Sequence, residues 1–255
     1  MLRFSHANIK TKQLSAVFGL DKKNKVYSFD LPSGYTCPGA KNCKSRAIVN
    51  PLTGRATIQD GKDCQFRCFS ASQEVLLPNV RKSRQENLST LRGKSTTQII
   101  KLILTAIPKN AKIIRLHVSG DFFSLGYMSA WLIVASRRPD LKIYCYTKSL
   151  HFLQSIVHKQ SNPNLSIGRL TDNFRITASR GGKFDHLIEV LNLREAKVVY
   201  SEDEANNLGL PIDHTDSHAA QLGGSFALMI HNVQPKNSEA AKAWDKIKRS
   251  KKLVG

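Results

Sequence analysis

Apolar and polar residues alternate over VYSFDL, residues 26–31, and Pro32 stops the run, which predicts a first strand in an otherwise irregular N-terminal third. SASQEVLLPNVRKSRQENLSTLRG, residues 70–93, reads as helical, with Pro78 at or near a helix start and Gly93 closing it. Residues 97–107 place Ile99, Ile100, Ile103, Leu104 and Ile107 at helical spacing. From residue 112 the pattern becomes regular. KIIRLHVS, LKIYCYT, NLSIG, FRITA, AKVVYS and SFALMIH predict strands, and GYMSAWLIVASR, SLHFLQSIVHK, FDHLIEVLNL and EDEANNLG predict the helices among them. SEAAKAWDKIKRS then closes the chain as a basic helix. Strands and helices recurring at roughly 25–30 residues imply right-handed βαβ units and a parallel sheet. The expected fold class is therefore α/β, with alternating βα units forming a partial (β/α) barrel or an open parallel sheet. A doubly wound sheet is the alternative.

One domain over 1–255 is expected, carrying a cysteine-rich loop insert at 32–72 and a basic helix or tail at 236–255. A hydrophobic fraction of 41% suffices for a substantial core. No apolar run approaches the roughly 20 residues that a membrane span needs. The opening MLRFSHANIKTKQ lacks the apolar segment of a secretory signal, so a cytoplasmic, reducing location is expected.

Charge changes the picture further. Thirty-nine Lys and Arg against nineteen acidic residues leave a net charge of +20. Such an excess concentrates polyanions around the protein, and nucleic acid is the expected partner rather than a membrane surface. The basic stretches Arg81–Arg92 and Lys242–Lys252 would contact backbone phosphates without reading sequence.

In either architecture a site lies where loops converge at the carboxyl ends of the strands. Those ends carry Ser119-Gly120-Asp121, Tyr146-Thr147-Lys148-Ser149, Gly168-Arg169, Ser179-Arg180, Ser201-Glu202 and His231-Asn232. Asp121 could accept from an amine or a ribose hydroxyl, and Lys148 could meet an anion, which makes these two the candidate catalytic pair. Ser119 and Gly120 would bind a cofactor, and Arg169 and Arg180 a phosphate. Capping of the helix near Gly126 is at least as good a use of Ser124 and a lesser one of Asp121.

Four of the five cysteines, Cys37, Cys43, Cys64 and Cys68, fall within TCPGAKNCKSRAIVNPLTGRATIQDGKDCQFRC, a stretch with no apolar period for helix or strand. Clustering in a reducing compartment argues for a metal. The C-x5-C and C-x3-C spacings match neither a zinc knuckle nor common ferredoxins, so they do not name it. Lys41, Lys44, Arg46 and Arg67 supply the positive charge that favours thiolates. Cys145, inside LKIYCYT, reads as a small core residue. His214 and His218 in IDHTDSHAA have helical i, i+4 spacing beside Asp213 and Asp216, but a polar surface loop accounts for them more simply.

TCPGAKNC, RCFSASQE, RLHVSGDFFS, YCYTKS and FALMIHNVQPKNSEAAKAW together resemble the gene 88 product family of phage and plasmid proteins, over about residues 26–245. The resemblance implies a compact C-P-G-A-x-x-C-x-x-x-C set, which maps here to Cys37, Cys43 and Cys68. Cys64 and the segment before it would be an elaboration. Three cysteines after a first strand, then a glycine–acid motif ending the second, also resemble radical S-adenosylmethionine enzymes in architecture. That likeness implies a [4Fe–4S] cluster on three thiolates, with Ser119-Gly120-Asp121 meeting the amine of S-adenosylmethionine. The usual C-x3-C-x2-C spacing and Gly-Gly-Glu segment are missing. Two expectations result: an iron–sulfur enzyme acting on nucleic acid or a nucleotide, or a non-catalytic nucleic-acid-binding protein whose four cysteines hold zinc. A metal-dependent nuclease, which needs clustered carboxylates, ranks last.

Overall fold

A computed structural model describes residues 1–6, 9–20, 25–159, 173–221 and 223–253. In chain order the elements are β1 (Ser5–His6), α1 (Ile9–Val17), β2 (Val26–Phe29), β3 (Ser45–Val49), β4 (Ala56–Asp60), α2 (Phe69–Leu76), α3 (Pro78–Leu91), α4 (Thr96–Ala106), β5 (Ile113–Leu116) and α5 (Leu125–Arg137). They continue with β6 (Lys142–Thr147), α6 (Leu150–Lys159), β7 (Phe174–Ser179), α7 (His186–Val190), β8 (Glu195–Val199), α8 (Glu202–Asn207), α9 (Ser217–Ala220), β9 (Phe226–Met229) and α10 (Glu239–Leu253).

The main sheet runs β1-β2-β5-β6-β7-β8-β9. Every pairing is parallel except β1 on the edge of β2. The order never reverses, so the sheet is wound once, like the wall of a barrel that has not closed. A doubly wound sheet would change direction at a switch point. All six parallel strands therefore end on one rim.

The strand sequences explain why both faces are covered. On one face Tyr27, Phe29, Ile114, Leu116, Ile143, Cys145 and Phe174 pack with Leu88 and Leu91 of α3, Ile99, Ile100 and Ile103 of α4, and Tyr127, Trp131 and Val134 of α5. On the other, Val26, Ile113, Tyr144, Ala196 and Phe226 pack with Leu14 of α1 and Ala219 and Ala220 of α9. Cys145 is a core residue, as its strand predicts. Strands buried on both sides lose their alternation and read as continuous apolar runs, as IIRL of β5 does.

Helix ends follow local chemistry. Ser95 and Gln98 form a reciprocal capping box at α4, and the Ser124 hydroxyl accepts from the Tyr127 amide at α5. Ser124, not Asp121, is thus the cap of that helix.

Three expectations are corrected. Residues 70–93 are not one helix: α2 ends at Leu76, and Leu77 turns out at φ −121° and ψ 89° before Pro78 starts α3. Proline disfavours helical backbone in the residue before it, which makes the break. The cysteine segment is not featureless either, since SRAIV and ATIQD pair as an antiparallel hairpin of five registered positions. Finally, IDHTDSHAA is not a surface loop; Asp213 and Asp216 are buried and Ala219 and Ala220 enter the core. The expected strand NLSIG and Arg169 lie outside the described residues.

Candidate functional site

The segment from Thr36 to Asn42 lies across the carboxyl rim. Gly39 sits so close to the Lys148 carbonyl that a Cβ there would stand 1.9 Å from its oxygen. The Gly39 carbonyl accepts from the Lys183 amide, Ala40 bridges to Gly182, and the Asn42 amide donates to the Gly181 carbonyl. Gly120, at φ +83°, is pressed against Thr36 and Leu31. Only glycine adopts that backbone without strain and offers no side chain to clash. Gly39 of CPGA and Gly120 of SGD thus make two separate close contacts, one with Lys148 and one with Thr36 and Leu31, that bind the cysteine segment to the ends of β5, β6 and β7.

Cys37, Cys43 and Cys68 gather there. The Cys37 thiol feels the charges of Asp121, Cys68 and Cys43, and Cys68 in turn feels Cys43. Cys68 stands at the N-terminus of α2, where the Ser70 and Ala71 amides face its sulfur. These donors favour thiolate, as does the Gly34 amide toward Cys37, but burial outweighs them. The Cys37 thiol is pushed well above its usual range, and that of Cys68 up to about 11. Each residue keeps some exposed surface, yet the sulfurs are packed deeply enough that desolvation decides. Left alone at neutral pH, these two are thiols and poor nucleophiles.

Cys64 belongs to the hairpin instead. Its Sγ donates to the Phe66 carbonyl at 3.2 Å and lies 3.5 Å from the Ser45 hydroxyl. Burial raises its thiol too, and the charges of Asp60 and Cys43 add to the rise. Among the described residues no three of His, Cys, Asp and Glu are assembled to hold a metal ion. The donor chemistry suits a thiophilic centre. The thiols of Cys37, Cys43 and Cys68 are gathered but not closed on one point.

Beneath the cysteines lies a buried polar layer. Asp121 accepts from the Thr147 hydroxyl at 2.6 Å, the Lys148 amide at 2.9 Å and the Phe122 amide at 2.7 Å. Burial still raises its carboxyl. Lys148 Nζ donates to the Ser179 carbonyl and hydroxyl and to the Arg180 carbonyl, at 2.6–2.8 Å. An ammonium has three protons, so Lys148 is saturated. Asp121 therefore fastens β5 to β6, and Lys148 fastens β6 to β7. Arg180 adjoins this group through its carbonyl, while its guanidinium pairs with Glu195 at 2.6 Å. Ser119, Gly120, Asp121 and Lys148 are brought together as expected, each already engaged within the fold.

Sequence reasoning missed the centre of this layer. Glu74 Oε1 accepts from the Ser33 amide and Ser119 hydroxyl, both at 2.9 Å, and pairs with Arg84 at 3.1 Å. Asp30 accepts from the Val118 amide at 2.7 Å and the Ser28 hydroxyl at 2.9 Å. Arg81 donates to the Glu74 carbonyl. Within the stretch Arg81–Arg92, expected to meet phosphate, Arg84 is buried and Arg81 is half-buried. A polar residue on the packed face of α2 was the available signal for Glu74.

A second polar cluster crosses the opposite face of the sheet. Arg115 of β5 pairs with Asp216, which also accepts from the Tyr144 hydroxyl at 3.2 Å and the Tyr146 hydroxyl at 3.4 Å. Asp213 accepts from the Thr215 and His218 amides, and its carboxylate stands 3.7 Å from His218 Nδ1. His214 and His218 thus serve a loop braced by carboxylates.

No helix among the described residues is long and apolar enough to cross a membrane. No solved structure matches the chain. Two mycobacteriophage proteins do, both called Gene 88 protein: that of phage L5 is 26% identical over 126 residues and that of phage D29 25% identical over 126. Each match covers 46% of this chain and 52% of the relative, so the chain spans about half the length of the curated relatives it matches. The family model described as Gene product 88 matches residues 2–248, from the edge strand through most of α10. The rim of packed glycines, gathered cysteines and buried carboxylates therefore belongs to a member of the Gene product 88 family.

Proposed function

We propose that this protein is an iron–sulfur enzyme of the radical S-adenosylmethionine type acting on nucleic acid or a nucleotide, with Cys37, Cys43 and Cys68 holding a [4Fe–4S] cluster. One observation carries the reading: Cys37, Cys43 and Cys68 lie near enough to one another and to Asp121, on the rim of a singly wound parallel sheet, to feel each other's charges, without being closed into a metal site. Such a cluster would supply one-electron reduction of S-adenosylmethionine. This chain's own part is to hold the thiols. The Ser70 and Ala71 amides and the Gly34 amide stabilise the deprotonated sulfurs that a metal requires. The net charge of +20 supports a polyanionic substrate. In this reading Ser119 and Gly120 would meet the cofactor, and Arg180 would meet a phosphate only by leaving its pair with Glu195.

A zinc-stabilised nucleic-acid-binding protein without catalysis is the second reading. Saturation of Asp121 and Lys148 by internal hydrogen bonds favours it, because neither then has a free group for substrate. In that reading Cys64 completes the ligand set.

Oxygen-free purification separates the two. A brown protein absorbing near ~400 nm, with iron and acid-labile sulfide, supports the first. Colourless protein with one equivalent of zinc supports the second. Cys37→Ser, Cys43→Ser and Cys68→Ser should each abolish cluster binding, whereas Cys64→Ser should retain it in the iron–sulfur case and weaken it in the zinc case. Stoichiometric absence of both metals sinks both readings.

A further inference from the structure

The β3–β4 hairpin buries one face against α2, with Ser45 and Ala47 almost fully enclosed. Its other face, bearing Arg46, Thr57 and Gln59, is exposed. There the Arg46 guanidinium lies 5.1 Å from the centroid of the Tyr35 ring, and its Nε donates to Gln59 Oε1 at 2.7 Å. Tyr35 keeps 43% of its surface open, unusual for a ring with an apolar core nearby. Ring, guanidinium and amide are three planar groups held by one another. Lys41, Arg55 and Lys62, on the hairpin and its flanks, are exposed and without an ion pair among the described residues. Of the two carboxylates between residues 35 and 68, Asp60 is taken by Arg67 and Asp63 is exposed.

We propose that this outer face, centred on Tyr35, Arg46 and Gln59, binds single-stranded nucleic acid. An unpaired base stacks on the ring and guanidinium, and Lys41, Arg55 and Lys62 hold the neighbouring phosphates. Stacking platforms flanked by cations take single strands because a duplex hides the faces of its bases. The hairpin is joined at both ends to the cysteine segment, between Cys43 and Cys64. The inference rests on the nucleic-acid reading above and names the surface that serves it.

Fluorescence anisotropy tests it on the intact protein at ~50 mM salt, with a labelled oligothymidylate and oligouridylate of ~15 nucleotides and a duplex of equal length. Both single strands should bind more tightly than the duplex, and the tighter of the two identifies DNA or RNA. Tyr35→Ala and Arg46→Ala should each weaken single-strand binding at least about five-fold, with Tyr35→Phe unchanged. Arg46→Lys, which keeps charge but not the plane, should fall between. Arg46 is exposed, so its removal stays informative should Tyr35→Ala disturb the hairpin. Parent-like affinity in both alanine variants, or equal binding of duplex, overturns the hairpin assignment while leaving a nucleic-acid substrate standing. A parent protein that binds none of the three probes removes both.

Discussion

His117 shows how much one side chain can store at the rim. It ends β5 at φ +25°, a conformation uncommon outside glycine. Its Nε2 lies 2.9 Å from the Tyr127 hydroxyl, its ring meets Phe122 edge-on, and its buried Nδ1 has no hydrogen-bond partner among the described residues. Burial lowers its pKa to about 3. The unfolded chain takes up a proton near the ordinary histidine value of about 6.5, and the folded chain does not. Stability attributable to His117 is thus complete above that value and declines as pH falls toward 3, by up to about 1.4 kcal/mol per pH unit. Asp121, raised by burial, acts in the opposite direction, losing stability as pH rises through its folded value. Comparison with His117→Asn isolates the histidine, because asparagine tolerates the backbone and does not titrate. Urea melts should show the parent losing about 2 kcal/mol more than the variant between about pH 6.5 and about pH 4.5. Parallel losses would mean that His117 titrates normally in the fold.

At the scale of elements, Glu74 and Arg84 pin the two helices that Pro78 separates. Both side chains are nearly inaccessible, at 1% and 4% exposure. Removing one partner strands the other as a buried charge, at a cost of about 3–5 kcal/mol. Arg84→Met should therefore be strongly destabilising, and adding Glu74→Leu should restore part of the loss, less what the Ser33 amide and Ser119 hydroxyl then lack. Chemical denaturation of the two singles and the double measures this coupling; losses that simply add would deny it. The same pair marks the limit of what sequence could tell. The βα alternation after residue 112, the α4 period and the Ser124 cap were legible because each is a local pattern. The hairpin escaped because only one of its faces is packed, leaving SRAIV and ATIQD half polar. Glu74 with Ser119, and Arg115 with Asp216, are pairings between distant segments that no local period encodes. The glycine–acid motif drew attention to Asp121, but its hydrogen bonds to the end of β6 appear only once the strands are side by side.

For the whole molecule, the sheet has an uneven seam. β6 and β7 share five registered pairs and β8 and β9 four, whereas β7 and β8 share two, Ala178 with Glu195 and Ser179 with Ala196. The large core lies on the β2–β7 side, and Val199, Ala205 and Ala227 form a small cluster beyond the seam, where Ala196 and Phe226 alone of the buried strand residues join the cluster on the sheet's other face. Arg180 and Glu195 bridge it, and Arg194 reaches from it to the carbonyls of His218, Ala219 and Gln221. Elements with few apolar contacts open at lower free energy than the core, as cooperative units. Native-state hydrogen exchange should therefore show β8, α8 and β9 opening together before β2, β5 and β6. Arg180→Ala should lower protection in that unit and leave β5 and β6 as they were. Uniform protection across all the parallel strands, or a loss in β5 equal to that in β8, would mean the sheet unfolds as one body. Because Arg180 also receives the Lys148 ammonium on its carbonyl, the seam ends at the rim itself. Whatever binds beside Cys37 and Lys148 should then slow exchange in β8 and β9 without touching them.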